Sequence, residues 1–534
     1  MSQISRSSLR ALCVIIIALV LAACATPAVP ATSPTSAPAQ PTSAPAAPSS
    51  APSGGLQGTL TVGLTTDAES MDPYLTKQSA GLAVSNAMFD NLIERDFQGK
   101  LVPGLATSWS FVDDKTIEFK LRQGVKFHNG EDFDANSVKF SLERMQNANL
   151  NSPFKGNFKS VQAVNIVDPY TVRFALTKTD AALLDFLSAQ LAMLPPKYTA
   201  QVGDAGFAKA PIGTGPFKFV EWVKDDHITV QANENYWAGS YKGKPMVQTV
   251  IFRPIPEAST RIAELTTGNV DLIQDVAPDQ AKSVQDAGFT VDKINVPQEA
   301  FVFFVTDVPN TPLADKRVRQ ALNYGVNVDS IIQNVLQGYA TRFANPIGPL
   351  TLGYDANIKP YPYDPDKAKA LLTEAGYPNG FEVTIDASAS DKTLTTEAVA
   401  GELAKIGVKA NVRRIELAQF NDNWDKKNTS PMVAARWSGM FDPSNFLSFL
   451  VKSDGFLSRY KNPQADALVA QGVSTLDPAA RAKTYQQLGQ LLYDDPIGIY
   501  LWLPQNLYGV GKRVQGWQPH PNSFIIVSNT SVTQ

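Results

Sequence analysis

Leu101–Arg144 reads LVPGLATSWSFVDDKTIEFKLRQGVKFHNGEDFDANSVKFSLER. Within it, Thr116–Arg122 alternates apolar Ile117, Phe119 and Leu121 with polar neighbours, the period-two pattern of a strand buried on one face. Asp113-Asp114 before it and Asn129-Gly130 after it suit turns, because Asp and Asn bond to nearby backbone and Gly tolerates unusual angles. Asp134 then predicts the N-cap of a helix whose apolar stripe is Val138, Leu142 and Met145. Strand, turn and helix follow from these residues alone.

The same reading extends outward. Thr59–Leu64 alternates as a first strand, Asp72-Pro73 opens a loop, and Leu82 to Ile93 reads as a helix. Val172, Phe174 and Leu176 mark another strand. Pro211–Trp222, PIGTGPFKFVEW, combines glycines that permit backbone angles closed to side chains with prolines that stiffen a turn. It lacks the third glycine of a dinucleotide fingerprint. Around Ile255-Pro256 the character changes. Glu257–Thr267 and Pro278–Ala287 read as helices, Val270–Ile273 and Phe289–Val296 as strands. Asp364-Pro365 predicts a capped helix closed by Gly376. Phe381–Asp386 predicts a strand, Val399, Leu403 and Ile406 a helix, and Val408–Val412 a second strand. Short connections between them imply parallel strands and a right-handed crossover. The second half is α/β.

Composition bounds the function. The 534 residues are 44% apolar and 18% charged, enough for sizeable cores. A formal net charge of −3 removes the electrostatic case for a nucleic-acid partner. The only cysteines are Cys13 and Cys24, so neither a disulfide nor a cysteine zinc site holds the body together. His128, His227 and His520 lie far apart in sequence, which speaks against a histidine metal cluster.

Arg6 and Arg10 precede the apolar run Ala11–Ala23, which is shorter than the ~20 residues of a membrane-spanning helix and has the form of an export signal. Its end, Leu21-Ala22-Ala23-Cys24, resembles a bacterial lipobox, implying lipid on Cys24 as the first mature residue. Residues 25–55 are almost wholly Ala, Pro, Ser and Thr, too poor in large apolar groups to fold. Extended at ~3.1 Å per residue, this tether reaches about 90 Å from a membrane.

PGLATSW (Pro103–Trp109), KLRQGVKFHNG (Lys120–Gly130) and the LER closing the opening stretch resemble a signature of the family 5 extracellular solute-binding proteins, which serve peptide/nickel-type ABC importers. PIGTGPFKFVEW, NENYW (Asn233–Trp237), TTGNVDLI (Thr266–Ile273), DKRVRQALNYGVNVDSII (Asp315–Ile332), YDPDKAKALLTEAGYPNGFEV (Tyr363–Val383) and RYKNPQADALV (Arg459–Val469) resemble further family text in the expected order. The resemblance implies an α/β, two-lobe periplasmic-binding-protein-like fold of type II, with a subdomain inserted in lobe I. It divides the chain into a signal peptide (1–23), a lipidated tether (24–55), lobe I (56–254, insert about 97–205), lobe II (255–500) and a return to lobe I (501–534).

The resemblance also implies a ligand site. Lys77, Gln78 and Ser79 match positions that lie along the ligand in peptide-binding relatives. Arg436, Trp437, Ser438, Met440, Phe441 and Asp442 match a second cleft-lining stretch, with Trp437 as a flat apolar wall carrying one N–H donor. Peptide-binding relatives carry an aspartate at the position of Met440 to neutralise the peptide amino group. A thioether cannot make that charge-assisted bond, leaving Asp442 as the nearby carboxylate. Arg436 stands where relatives usually have glycine and suits a carboxylate or phosphate.

The expected function is capture of a small solute, first of all a peptide, and delivery to a permease. The alternatives are an oligosaccharide, opine or metal-chelate binder, or a sensor or chaperone that does not transport. No Walker loop, GxSxG elbow, HExxH or Cys/His pair supports an enzyme. No cofactor is expected. The expected partners are the solute, the permease and ATPase subunits, and the membrane through the lipid. The chain is expected to be an exported monomer, lipid-anchored to the outer face of the cell membrane or facing a periplasm.

Overall fold

The computed structural model describes residues 56–389, 394–438 and 441–533. Strand β1 (Thr59–Leu64) buries Leu60, Val62 and Leu64. Helix α1 (Ser79–Met88) and the short antiparallel pair β2 (Ile93–Arg95) and β3 (Leu101–Pro103) follow. The helix predicted over Leu82–Ile93 therefore sits earlier, and Ile93 opens a strand. Phe89 is extended, and the Asp90 carboxylate accepts hydrogen bonds from Thr214, Tyr236, Trp237 and Lys242 at 2.9–3.0 Å. A buried carboxylate must be so paired, and these distant partners override local helix preference. Tyr236 and Trp237 belong to the NENYW motif, which thus fixes the end of α1.

Leu101–Arg144 folds as its pattern predicts. Strands β4 (Ala106–Asp113), β5 (Thr116–Leu121), β6 (Val161–Asp168) and β7 (Thr171–Leu176) form an antiparallel sheet ordered β4-β5-β7-β6. Ile117, Phe119 and Leu121 point inward, with the Phe119 and Phe174 rings 5.0 Å apart. Gly130 takes φ +90°, as the Asn-Gly turn requires. Asp134 caps α2 (Ala135–Gln146), accepting from the backbone N–H of Asn136 at 2.8 Å and Ser137 at 3.2 Å. Val138, Leu142 and Met145 are buried beneath it. The short helix α3 (Leu183–Leu187) follows.

The chain then rejoins β1 through β8 (Phe217–Val223), β9 (His227–Ala232), β10 (Thr249–Pro254), β11 (Leu272–Gln274) and β12 (Thr290–Asn295). β1 lies parallel between β10 and β11. Gly213 and Gly215, which precede β8, do not take the positive φ that the sequence reading invoked. They are needed because a Cβ at either position would strike the Met88 backbone, whose carbonyl accepts the Gly215 N–H at 2.9 Å.

A second sheet contains β13 (Gln298–Phe304), β14 (Ala340–Arg342), β15 (Phe381–Ser388), β16 (Val408–Ile415), β17 (Met432–Ser438) and β18 (Gly498–Val510). β15 runs parallel to both β16 and β17, and α4 (Thr395–Ala404) supplies the predicted crossover from β15 to β16. One face is covered by a core that includes Val302, Ile385, Val399 and Leu403. The other is covered by Phe301, Phe303, Val433 and Leu488, with α5 (Leu417–Asp425) and α6 (Pro478–Asp494). β18 belongs to both sheets. Residues 498–504 pair with β13 and β14, and residues 505–510 with β11 and β12. The result is a two-lobe α/β fold. Among the described residues, no helix is long and apolar enough to cross a membrane.

Candidate functional site

β15, β16 and β17 run in one direction, so their carboxyl ends, Ser388, Ile415 and Ser438, open at one edge of the second sheet. Open α/β sheets bind ligands in the crevice at such ends. A cavity of about 720 Å³ lies there, lined among others by Ser388, Leu417, Phe420, Trp424, Arg436, Trp437 and Trp502. Trp437 is half-buried, with its ring edge-on to Phe446 at 5.7 Å and tilted against Phe449 at 6.3 Å. Trp424 packs against Phe420 at 5.8 Å, one helical turn away on α5. Trp437 faces Glu299 across the β13–β17 ladder. Glu299 is 3% exposed, its carboxylate accepts the Thr351 hydroxyl at 3.5 Å, and burial pushes its carboxyl up to about 7.

A second cavity, about 270 Å³, is lined from both lobes by Lys77, Arg95, Asp185, Gln190, Gln298 and Phe441. Arg95 of β2 forms a buried ion pair with Asp185 of α3 and lies over the Phe441 ring, 4.0 Å from its centre. Desolvation pulls the Arg95 guanidinium down to about 10, against the field of Asp442. Gly99 takes φ +79°, and a Cβ there would meet the Phe441 ring. The Asp442 N–H donates to Asp185 at 2.8 Å, while the Asp442 carboxylate pairs with Arg481 of α6 at 2.7 Å. Guanidinium, aromatic ring, carboxylate and backbone thus join the segment after β17 to the first lobe.

The sequence-predicted residues divide accordingly. Arg436 and Trp437 line the larger cavity, and Lys77 and Phe441 the smaller. Gln78 occupies the N-cap position of α1 without a side-chain cap bond, its N–H donating to Glu69 at 3.2 Å, and Ser79 is the exposed first residue of that helix. The Asp442 carboxylate pairs with Arg481 and accepts the Ser444 N–H at 3.0 Å. Ser438 ends β17 opposite Gln298. Met440 and Cys24 lie outside the described residues. Sequence reasoning missed Arg95, Asp185, Phe420, Trp424 and Trp502. Only Phe420 and Trp424 left a local signal, an i, i+4 aromatic pair.

The sequence profile of the bacterial extracellular solute-binding proteins, family 5 Middle, matches residues 100–458. The chain belongs to family 5 of these proteins. Family 5 proteins are non-enzymatic receptors that bind small solutes and work with ABC permeases. This family 5 protein is 33% identical to heme-binding protein A of Haemophilus influenzae over 490 residues, 84% of this chain and 88% of that one. The structure of HbpA2 from Haemophilus parasuis matches it with a TM-score of 0.81 and 29% identity, over 89% of this chain and 100% of that one. DppA from Helicobacter pylori, in complex with the peptide STSA, matches with a TM-score of 0.72 and 28% identity, over 90% and 99%.

Proposed function

We propose that this family 5 protein is an exported lipoprotein that captures a peptide or peptide-sized solute and hands it to an ABC permease. Cys24 carries the lipid and residues 25–55 form the tether. The observation that carries the reading is the roomy, tryptophan-walled cavity at the carboxyl ends of three parallel strands. Lobe I comprises residues 56–295 with the stretch after 504, and lobe II residues 298–504. The pairing of β11 with β1, and of β11 and β12 with the end of β18, supports this division. Among the described residues the larger cavity is lined from lobe II alone, so closure over a solute seated there draws on the contacts that lobe I adds to it.

Calorimetry of the full chain against Ser-Thr-Ser-Ala and a panel of oligosaccharides, opines and metal chelates tests the reading. A bound solute is expected to lose at least tenfold in affinity in Trp437→Ala, with folding retained. Unchanged affinity refutes the site. A solute lacking a free amine is the second reading, favoured by the engagement of Asp442 with Arg481. The relative named for heme fits that reading.

A further inference from the structure

The wall of the larger cavity narrows the solute class, granted that this cavity holds the solute. Five aromatic residues line it from four separate elements: Phe301 from β13, Phe420 and Trp424 from α5, Trp437 from β17 and Trp502 from β18. Phe301, Phe420 and Trp502 are buried, whereas Trp424 and Trp437 are half-buried, so part of each indole is left uncovered. The apolar surface continues beyond the indoles. Leu417, which lines the cavity, is 49% exposed, and Phe449, tilted against Trp437, is 37% exposed. Isolated exposed apolar residues carry no message, but a contiguous group at the mouth of a cavity marks a surface that something apolar covers.

Charge is sparse in the same wall. Among the described residues its charged lining residues are Arg436 and Asp425, one of each sign, which together impose no net charge on the occupant. The smaller cavity is different in kind, with Lys77, Arg95 and Asp185 facing it. Ser388, Thr395, Thr396 and Asn421 also line the cavity, so the polar groups of a solute meet polar side chains there as well as indole and aliphatic carbon. A flat ring adds stacking and edge contacts to the two uncovered indoles. At about 720 Å³ the cavity falls within the usual range for an organic ligand of drug size.

We infer that this cavity selects solutes with a flat aromatic body, such as peptides rich in aromatic side chains, over solutes of equal length that lack one. The indoles act as the specificity-determining wall, and Leu417 extends it to the mouth.

The test compares Phe-Phe-Phe-Ala with Ser-Thr-Ser-Ala on the full chain, by calorimetry and by the intrinsic fluorescence to which Trp424, Trp437 and Trp502 contribute. Phe-Phe-Phe-Ala is expected to bind at least tenfold more tightly and to shift the tryptophan emission. Trp424→Ala is expected to remove most of that preference. Because Trp424 also packs on Phe303 (6.1 Å), the half-exposed position Leu417→Ser serves as the fold-safe variant, and it is expected to weaken the aromatic peptide severalfold with an unchanged melting temperature. Equal or tighter binding of Ser-Thr-Ser-Ala, lost in Trp437→Ala, overturns the aromatic selectivity while leaving solute capture standing. Binding of both peptides that Trp437→Ala does not alter overturns the site itself. Failure of both peptides to bind overturns the selectivity as well.

Discussion

Glu299 is a carboxyl that burial holds near pH 7, on the strand that faces Trp437. Its usual value is 4.5, so between pH 4.5 and about 7 the folded chain holds this proton when the unfolded chain has released it. The contribution is full below pH 4.5 and is lost as pH rises to about 7, on the order of 3 kcal/mol in all. His128 and His520 act in the opposite direction, since burial lowers both to about 4 and stability falls as pH drops from 6.5 toward 4. Comparing Glu299→Gln with its parent by urea unfolding at pH 5 and pH 8 separates the two effects. The variant is expected to gain on its parent as pH rises, and a constant difference would rule out a strained acid here. Residue roles were the least legible part of the sequence. Asp442 sits in a cleft-like motif, yet its carboxylate belongs to Arg481, a partner supplied by a remote helix that no local pattern announces.

Elements were far more legible, because their signals are local. The alternation of Ile117, Phe119 and Leu121 and the cap at Asp134 depend on neighbours within a few positions, and both stand in the fold as read. Asp134→Ala should cost about 1 kcal/mol by removing the acceptor for two backbone N–H groups. Thermal unfolding measures it, and a loss below a few tenths would mean that the α2 terminus is held by packing alone. The helix over Leu82–Ile93 was misplaced for the converse reason. Nothing in its own sequence reveals that Asp90 meets Lys242, Tyr236 and Trp237. The aromatic wall was hidden in the same way, since α5, β17 and β18 contribute from stretches far apart in the chain.

At the scale of the whole molecule, the Phe441 ring beneath Arg95 is a direct contact between the lobes. Phe441→Ala removes the ring and leaves the Arg95–Asp185 pair, so small-angle scattering is expected to show a larger mean radius of gyration. An identical curve would mean that the lobes are set by the crossing strands instead.

Those strands carry a consequence for heat. β18 changes partners at Pro504, which pairs with Ala340 and has no N–H to give to a ladder. The ladder is thus interrupted at that residue, while the strand stays paired on either side of it. Neither lobe can melt without fraying the other, so calorimetry should record one endotherm for two cores, and a pair of resolved peaks would show that the seam gives way first.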